Sequence, residues 1–591
     1  MKRRFQLVLI KPSHYHDDGY VIRWWRALIP SNSLASVYGL ALDCAKRHVL
    51  GEDVEIDIDL IDETNTRVNI PKLIRRFRRH DNFGLLAMVG VQSNQYPRAL
   101  DLARHFRAAG IPMALGGFHV SGCLSMLDGK AIDLELASDL GISIFAGEAE
   151  ERLEVVLQDA AQGRMKPLYN FMKDLPSIGG TPTPFLPHQF VKRTAGTNTS
   201  FDAGRGCPFQ CSFCTIINVQ GRKSRFRSAD DLEAVIRANV AQNIKRFFIT
   251  DDNFARNRNW EAFFDRLIKL REEEGFDIKF TIQVDTLCHQ IPNFVEKAGR
   301  AGVARVFIGL ENINPDSLLG AKKKQNRITD YRAMLQAWKK QGCITYAGYI
   351  LGFPNDRKET IKRDIEIIKR ELPVDILEFF FLTPLPGSQD HKEMHEAGVW
   401  MDPDLNKYDL HHRVSHHSKM SDAEWEETYT AAWDAYFTWE HMETVARRHA
   451  RLPKGRPRKA LQYLNEFRML YVNEGVHTLE GGVARRKRRL SRRPGMPIEP
   501  AIVFYPKFAW ESLRKGWNYW RGFRRQKKVL ARVRNDPNRY EYSDLATRPL
   551  LDNELASLDL FHETAGGEAF VARKAKHDAI IEAAQAEHQA A

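Results

Sequence analysis

The chain has 591 residues, 43% of them hydrophobic and 28% charged. That balance fits a soluble globular protein too long for one ordinary core, so three or four domains are expected. No run of 18 or more apolar residues appears, which argues against a membrane-spanning helix. The net charge of +13 is uneven: Arg447 to Arg534 carries 25 Lys/Arg against 5 Glu and no Asp, so the basicity belongs to one C-terminal region.

Lys2-Arg3-Arg4 and the apolar run Phe5 to Ile10 read as a first β-strand. A signal peptide would need a longer apolar stretch, and Lys11-Pro12 interrupts this one. Residues 1–165 then alternate strand-like and helix-like segments. Strands fit 6–10, 54–61, 85–91 and 113–115; helices fit 33–46, 71–78 and 97–109. The rhythm predicts a doubly wound, Rossmann-like parallel sheet, whose ligands bind beyond the carboxyl ends of the strands. Two such ends stand out: Val89 to Gln95, which includes Ser93, and Ala114 to Ser121, which includes Gly116-Gly117. Paired glycines let a large flat ligand approach the backbone, although any doubly wound domain needs tight turns.

Residues 166–198 are rich in Pro, Thr and Gly and read as a linker. Cys207-Pro-Phe-Gln-Cys211-Ser-Phe-Cys214 follows, preceded by Gly204-Arg205-Gly206. Three thiolates at this spacing hold three corners of an iron–sulfur cube and leave one iron open, whereas a closed electron-transfer cluster uses four cysteines. A structural zinc site commonly pairs two Cys knuckles, and no second Cys-x-x-Cys occurs; a site borrowing a distant histidine is the weaker alternative. Cys44, Cys123, Cys288 and Cys343 are isolated and read as buried apolar residues. Seven cysteines so clustered, without a signal peptide, point to a reducing, cytoplasmic compartment.

From 199 to 390, strands fit 199–202, 246–249, 279–284, 305–310, 345–351 and 377–382, with helices between them. Six βα units predict a partial, TIM-like (β/α)6 barrel with its site at the carboxyl ends of the strands. Polar residues mark those ends: Asp251 and Asp252, Gln283 and Asp285, Glu311 and Asn312, then Gly352. A helix cap is the plain alternative for Asp251 or Asp252.

Residues 391–450 read as a lid and aromatic helical extension. His411, His412, His416 and His417 match no established zinc spacing and favour an active-site lid or polar loop over a metal. A capping box at Ser421 and Glu424 starts one long helix expected over 420–449. Residues 451–591 form a basic, mainly helical region. Its aromatics beside Lys/Arg leave three readings: contact with an anionic membrane surface, a solvated helix docked on the core, and nucleic-acid binding, which is the weakest. The tail after Gly566 reads as a frayed helix or disordered.

The triplet at Cys207, Cys211 and Cys214, with Phe213 before the last cysteine, resembles the signature of the radical S-adenosylmethionine (SAM) superfamily. The upstream sheet with Gly116-Gly117, and the segment Phe145 to Glu150, resembles the cobalamin-binding domain of its cobalamin-dependent members. The resemblance covers roughly residues 5–450 and implies an enzyme. Cys207, Cys211 and Cys214 would ligate a 4Fe-4S cluster, and SAM would bind the open iron and be cleaved to a 5′-deoxyadenosyl radical. Asp252, Glu311 and Gly352 are the candidates on the SAM side; Ser93, Gly116 and Gly117 are those for cobalamin. The Asp-x-His-x-x-Gly pattern of histidine-ligated cobalamin is absent, so His14 and His16 are read as loop or substrate-side residues. Methyl transfer to an unactivated carbon is the leading outcome, with rearrangement or cyclisation as alternatives. The expected partners are a small-molecule or lipid-like substrate and a reductant such as flavodoxin or ferredoxin, at a cytoplasmic or inner-membrane location. A radical SAM enzyme lacking functional cobalamin and a non-catalytic iron–sulfur or corrinoid sensor are the alternatives; a methylthiotransferase would need three more cysteines upstream.

Overall fold

The computed structural model describes residues 2–127, 132–551, 554–555, 557–562 and 572. The tail expected after Gly566 therefore lies outside the described residues, apart from Ala572.

The N-terminal sheet has six parallel strands: β1 (Arg3–Lys11), β3 (Val54–Asp62), β4 (Gly84–Met88), β5 (Met113–Gly116), β6 (Ser143–Ala146) and β7 (Leu168–Asn170). Their spatial order is β3-β1-β4-β5-β6-β7. The run Phe5 to Ile10 forms the middle of β1, which lies between two neighbours and is buried on both faces. The order reverses between β1 and β4, and such a reversal opens a crevice at the carboxyl ends. Helices Asn32–Lys46 and Leu153–Ala161 pack on one face, Ile70–Arg78, Tyr96–Arg107 and Phe118–Met126 on the other. Ser31 caps the first of these by accepting from the Leu34 amide at 3.2 Å.

The segment expected as a linker contributes β7. This three-residue strand is too short to announce itself by pattern. It is held because Tyr169 is buried and donates its hydroxyl to Asp159 at 2.8 Å.

The second sheet is also all parallel: β8 (Asn198–Phe201), β11 (Arg246–Ile249), β12 (Lys279–Val284), β13 (Val303–Glu311), β14 (Ile344–Leu351) and β15 (Ile376–Phe381). The strands follow one another in sequence order, as a partial barrel requires. Between β8 and β11 a two-residue hairpin, β9 (Gly204–Arg205) with β10 (Arg225–Phe226), closes the root of the cysteine loop.

The helix expected over 420–449 is two helices, Asp422–Tyr436 and Trp439–Arg451. Thr438 is extended at the break, and its hydroxyl accepts from the His441 amide at 3.2 Å. The cap satisfies a new helix start, and the bend keeps Trp433, Tyr436 and Phe437 in the barrel core.

The C-terminal region does not stand apart. Strand β16 (Gly482–Arg485) pairs antiparallel with β2 (Trp24–Ala27), so the chain returns across the N-terminal domain. The run Arg485 to Arg493 is largely tied down and is no solvated helix. Lys487 bonds to Asp18 and Glu511, and Arg493 grips Asp404 through two hydrogen bonds of 2.7 and 2.8 Å. Helix Ala501–Asn535 follows, 35 residues long. Among the described residues, no helix is long and apolar enough to cross a membrane.

Candidate active site

A cavity of about 670 Å³ lies where the carboxyl ends of the two sheets face each other. The N-terminal domain contributes loops after β1 (Ser13, His14), after β4 (Gly90, Ser93, Asn94) and after β5 (Gly116, Gly117). The barrel contributes Asp202, Arg205, Asp252 and Gln283, and the returning C-terminal segment adds Leu479, Glu480 and Gly481. Sequence periodicity locates the strand ends, but only the tertiary fold brings residue 480 to them.

The cysteine loop rises from β9. The Cys207 amide donates to the Gly221 carbonyl at 3.2 Å, and the Cys214 amide to the Cys211 carbonyl at 3.2 Å. Gln325 donates to the Cys211 sulfur at 3.4 Å. Burial and the nearby Cys211 and Asp252 push the Cys214 thiol up to about 12, so a thiolate at that position needs a bound cation. Donor groups whose atoms all lie within 4.8 Å of one another are, among the described residues, His119/Cys123/Asp133 and His14/Asp409/Glu480. The triplet is not among them. At least one pair of its sulfurs therefore stands more than 4.8 Å apart, wider than one tetrahedral metal ion allows, given metal–sulfur bonds of about 2.3 Å. That spacing and an all-thiolate donor set fit a multi-iron cluster.

The predicted SAM-side residues divide. Asp252 opens onto the cavity. Its side chain is exposed within that opening, with the buried Asp251 beside it. Asp251 faces the other way, accepting from the amides of Ala203 (2.7 Å) and Gly204 (2.8 Å) and from Asn257 (2.9 Å). It pins the root of the cysteine loop, and neither carboxylate caps the following helix. Glu311 sits where the register of β13 and β14 shifts, with a positive φ of 64°. Such strain in a non-glycine residue is characteristic of functional sites. Its carboxylate pairs with buried Lys323, whose ammonium lies 5.6 Å from the Phe213 ring, one residue before Cys214. Gly352 has φ +113°, and a Cβ there would lie 2.0 Å from the Trp425 ring. Its missing side chain is explained by Trp425. Gly348, on β14, lacks a Cβ that would face Phe307, Phe380 and Glu311 at 3.1 to 3.5 Å.

On the cobalamin side, Ser93, Gly116 and Gly117 all line the cavity. Ser93 is held by a 3.1 Å hydrogen bond with Nδ1 of buried His119. Gly117 has φ +152°, and a Cβ there would lie 2.1 Å from the Val91 nitrogen. Two loops cross at that point, so backbone approaching backbone requires this glycine, not ligand contact. The cavity walls fit a large ring-shaped ligand: backbone and small residues on the sheet side, with His14 as the only described lining histidine. His14 Nε2 is engaged by Glu480 at 2.9 Å, an interaction that raises the imidazole pKa against the effect of burial.

The four clustered histidines go to separate partners. His411 bonds to Tyr429, His416 to Asp422 and His417 to the Phe353 carbonyl. His412 lies between Asp17 and Asp409, whose carboxylates overcome burial and raise it to about 10. Asp409 and Leu410 reach the cavity wall.

One network had no sequence signal beyond the charges themselves. Arg205 reaches Glu148 (2.6 Å), Glu150 (2.6 Å) and Asp202 (3.0 Å), and Arg225 also bonds to Glu148. All are at most 15% exposed. The end of the N-terminal domain is thereby clamped to the base of the cysteine loop.

Residues 203–368 match the radical SAM superfamily model. The chain is 27% identical over 377 residues to the bacteriochlorophyllide d C-8(2)-methyltransferase of Chlorobaculum tepidum, covering 60% of this chain and 78% of that protein. It is 30% identical over 287 residues to the C-12(1)-methyltransferase of the same organism, covering 47% of this chain and 60% of that protein. Among solved structures, the radical SAM methyltransferase TsrM from Kitasatospora setae, with cobalamin and a [4Fe-4S] cluster bound, aligns with a TM-score of 0.54 at 14% identity. That alignment covers 74% of this chain and 89% of TsrM.

Proposed function

We propose that this chain, a radical SAM enzyme by its residues 203–368, is a cobalamin-dependent methyltransferase acting on an unactivated carbon of a small hydrophobic molecule. The observation that carries this reading is the cavity between the two sheets, walled by Asp252 beside the cysteine loop and by Ser93, Gly116 and Gly117 opposite. When bound, the cluster with SAM supplies a hydrogen-abstracting radical, and cobalamin supplies a transferable methyl group.

Cys207, Cys211 and Cys214 would ligate three irons. Asp252 would meet a polar group of SAM, and Glu311 with Lys323 would brace the aromatic ring of Phe213 behind the loop. Arg205 holds the two domains in register, so both walls stay fixed while substrate enters. His14, held by Glu480, presents the polar spot on the substrate side. Relatives named as methyltransferases support the transfer. The reading includes a reductant such as flavodoxin or ferredoxin as partner, and a membrane-peripheral location through the basic C-terminal region.

The test is anaerobic. Reconstituted protein with SAM, cobalamin and a chemical reductant is expected to hold about four irons per chain, form 5′-deoxyadenosine and show a corrinoid absorption band. Cys211→Ala should abolish 5′-deoxyadenosine formation. Fewer than about three irons per chain, or SAM cleavage surviving in the variant, would overturn the reading.

A second reading keeps the radical chemistry without cobalamin. Gly117 favours it, because the loop crossing at Val91 accounts for that glycine with no corrin ring present. Under it, cobalamin loading leaves no corrinoid band while 5′-deoxyadenosine still forms.

A further inference from the structure

Helix Ala501–Asn535 has two apolar faces. Phe504, Gly522, Gln526, Val529 and Val533 are buried against the rest of the protein. Val503, Pro506, Trp510, Leu513, Trp517 and Trp520 recur at alternating three- and four-residue steps on the opposite side. All six are exposed, Trp510 and Leu513 by about 70%. The stripe runs for about 26 Å at the helical rise of about 1.5 Å per residue. Exposed tryptophans so aligned are unusual on a protein surface left in water.

The charge beside the stripe has one sign. Arg514, Arg521 and Arg524 are exposed along it, and Arg524 stacks 4.8 Å from the Trp520 ring. The only acidic residue of the helix, Glu511, is turned inward onto Lys487 and Lys515. The helix follows in the chain after the stretch that walls the cavity at Leu479, Glu480 and Gly481. Lys487 ties it to the stretch after β16, which begins next to Glu480 and Gly481, and Phe504 packs on Tyr20 at 5.4 Å.

We propose that this face is the docking surface for an anionic phospholipid bilayer. The helix lies flat, its tryptophans in the boundary between headgroups and acyl chains and its arginines at the phosphates. The proposal rests on the reading of a membrane-peripheral enzyme and names its contact. A hydrophobic substrate would be drawn from that lipid surface.

The full chain is mixed anaerobically with vesicles of phosphatidylcholine alone and of phosphatidylcholine with a one-third share of phosphatidylglycerol. Co-sedimentation with the anionic vesicles and a blue shift of tryptophan emission are expected, both weakened by high salt. Trp510→Ser with Trp517→Ser, and separately Arg514→Glu with Arg521→Glu, should each lower vesicle binding by roughly tenfold or more. Their melting temperature and 5′-deoxyadenosine yield should match the parent, since none of the four residues touches the cavity. Absence of binding to anionic vesicles overturns the proposal. So does a parent that instead binds RNA, or one that forms dimers broken by the tryptophan changes. Variants that bind vesicles like the parent would leave a peripheral enzyme whose contact lies elsewhere. The 5′-deoxyadenosine readout in the same samples tests the radical reading separately.

Discussion

Glu378 lies on β15, buried, against Thr478 and His477 of the returning segment. Burial alone raises its carboxyl from 4.5 to about 8. The protonated form therefore favours the folded state: the contribution is complete below pH 4.5 and is lost as pH rises through 8. Glu378→Gln keeps the shape without the proton equilibrium. Its unfolding free energy, measured in urea, should equal the parent's near pH 4.5 and exceed it by on the order of 3 kcal/mol at neutral pH. A gap that does not grow with pH would mean that Glu378 is ionised in the folded protein. The cysteine triplet stands out in the sequence because the role proposed for it depends on local spacing. The division of labour between Asp251 and Asp252 was not, because adjacent residues on a strand end point to opposite sides. Gly352 and Gly117 were legible as special positions, yet the atoms that require glycine, on Trp425 and Val91, are distant in sequence.

At the scale of elements, most strands and helices follow from hydrophobic period and turn residues; β11 and β12 begin and end where the pattern predicts. Short pieces supported by tertiary contacts escaped, as β2, β7 and β16 did. The aromatic stretch after Ser421 reads as continuous helix, since a single threonine is a weak break signal until its hydroxyl is seen capping. Thr438→Ala should therefore destabilise the protein by about 1 kcal/mol, and Thr438→Ser should recover most of it. If the alanine variant unfolds at the same urea concentration as the parent, the cap at the break carries no stability.

At the scale of the whole molecule, Arg205 joins two domains through buried carboxylates of both. Arg205→Met leaves Glu148, Glu150 and Asp202 short of a cation, with an expected loss of about 3–5 kcal/mol. Adding Glu150→Gln should return part of it, which a double-mutant cycle measures. Strict additivity would mean that the clamp is only a surface contact. By itself the sequence determined the two α/β units, the cysteine triplet and the concentration of positive charge, because each is written in local spacing or composition. Tertiary structure alone decided which residues meet across the cavity: His14 with Glu480, Glu148 with Arg205, β2 with β16. These contacts join segments up to 466 residues apart, and chain order carries no record of such closure until the core has packed.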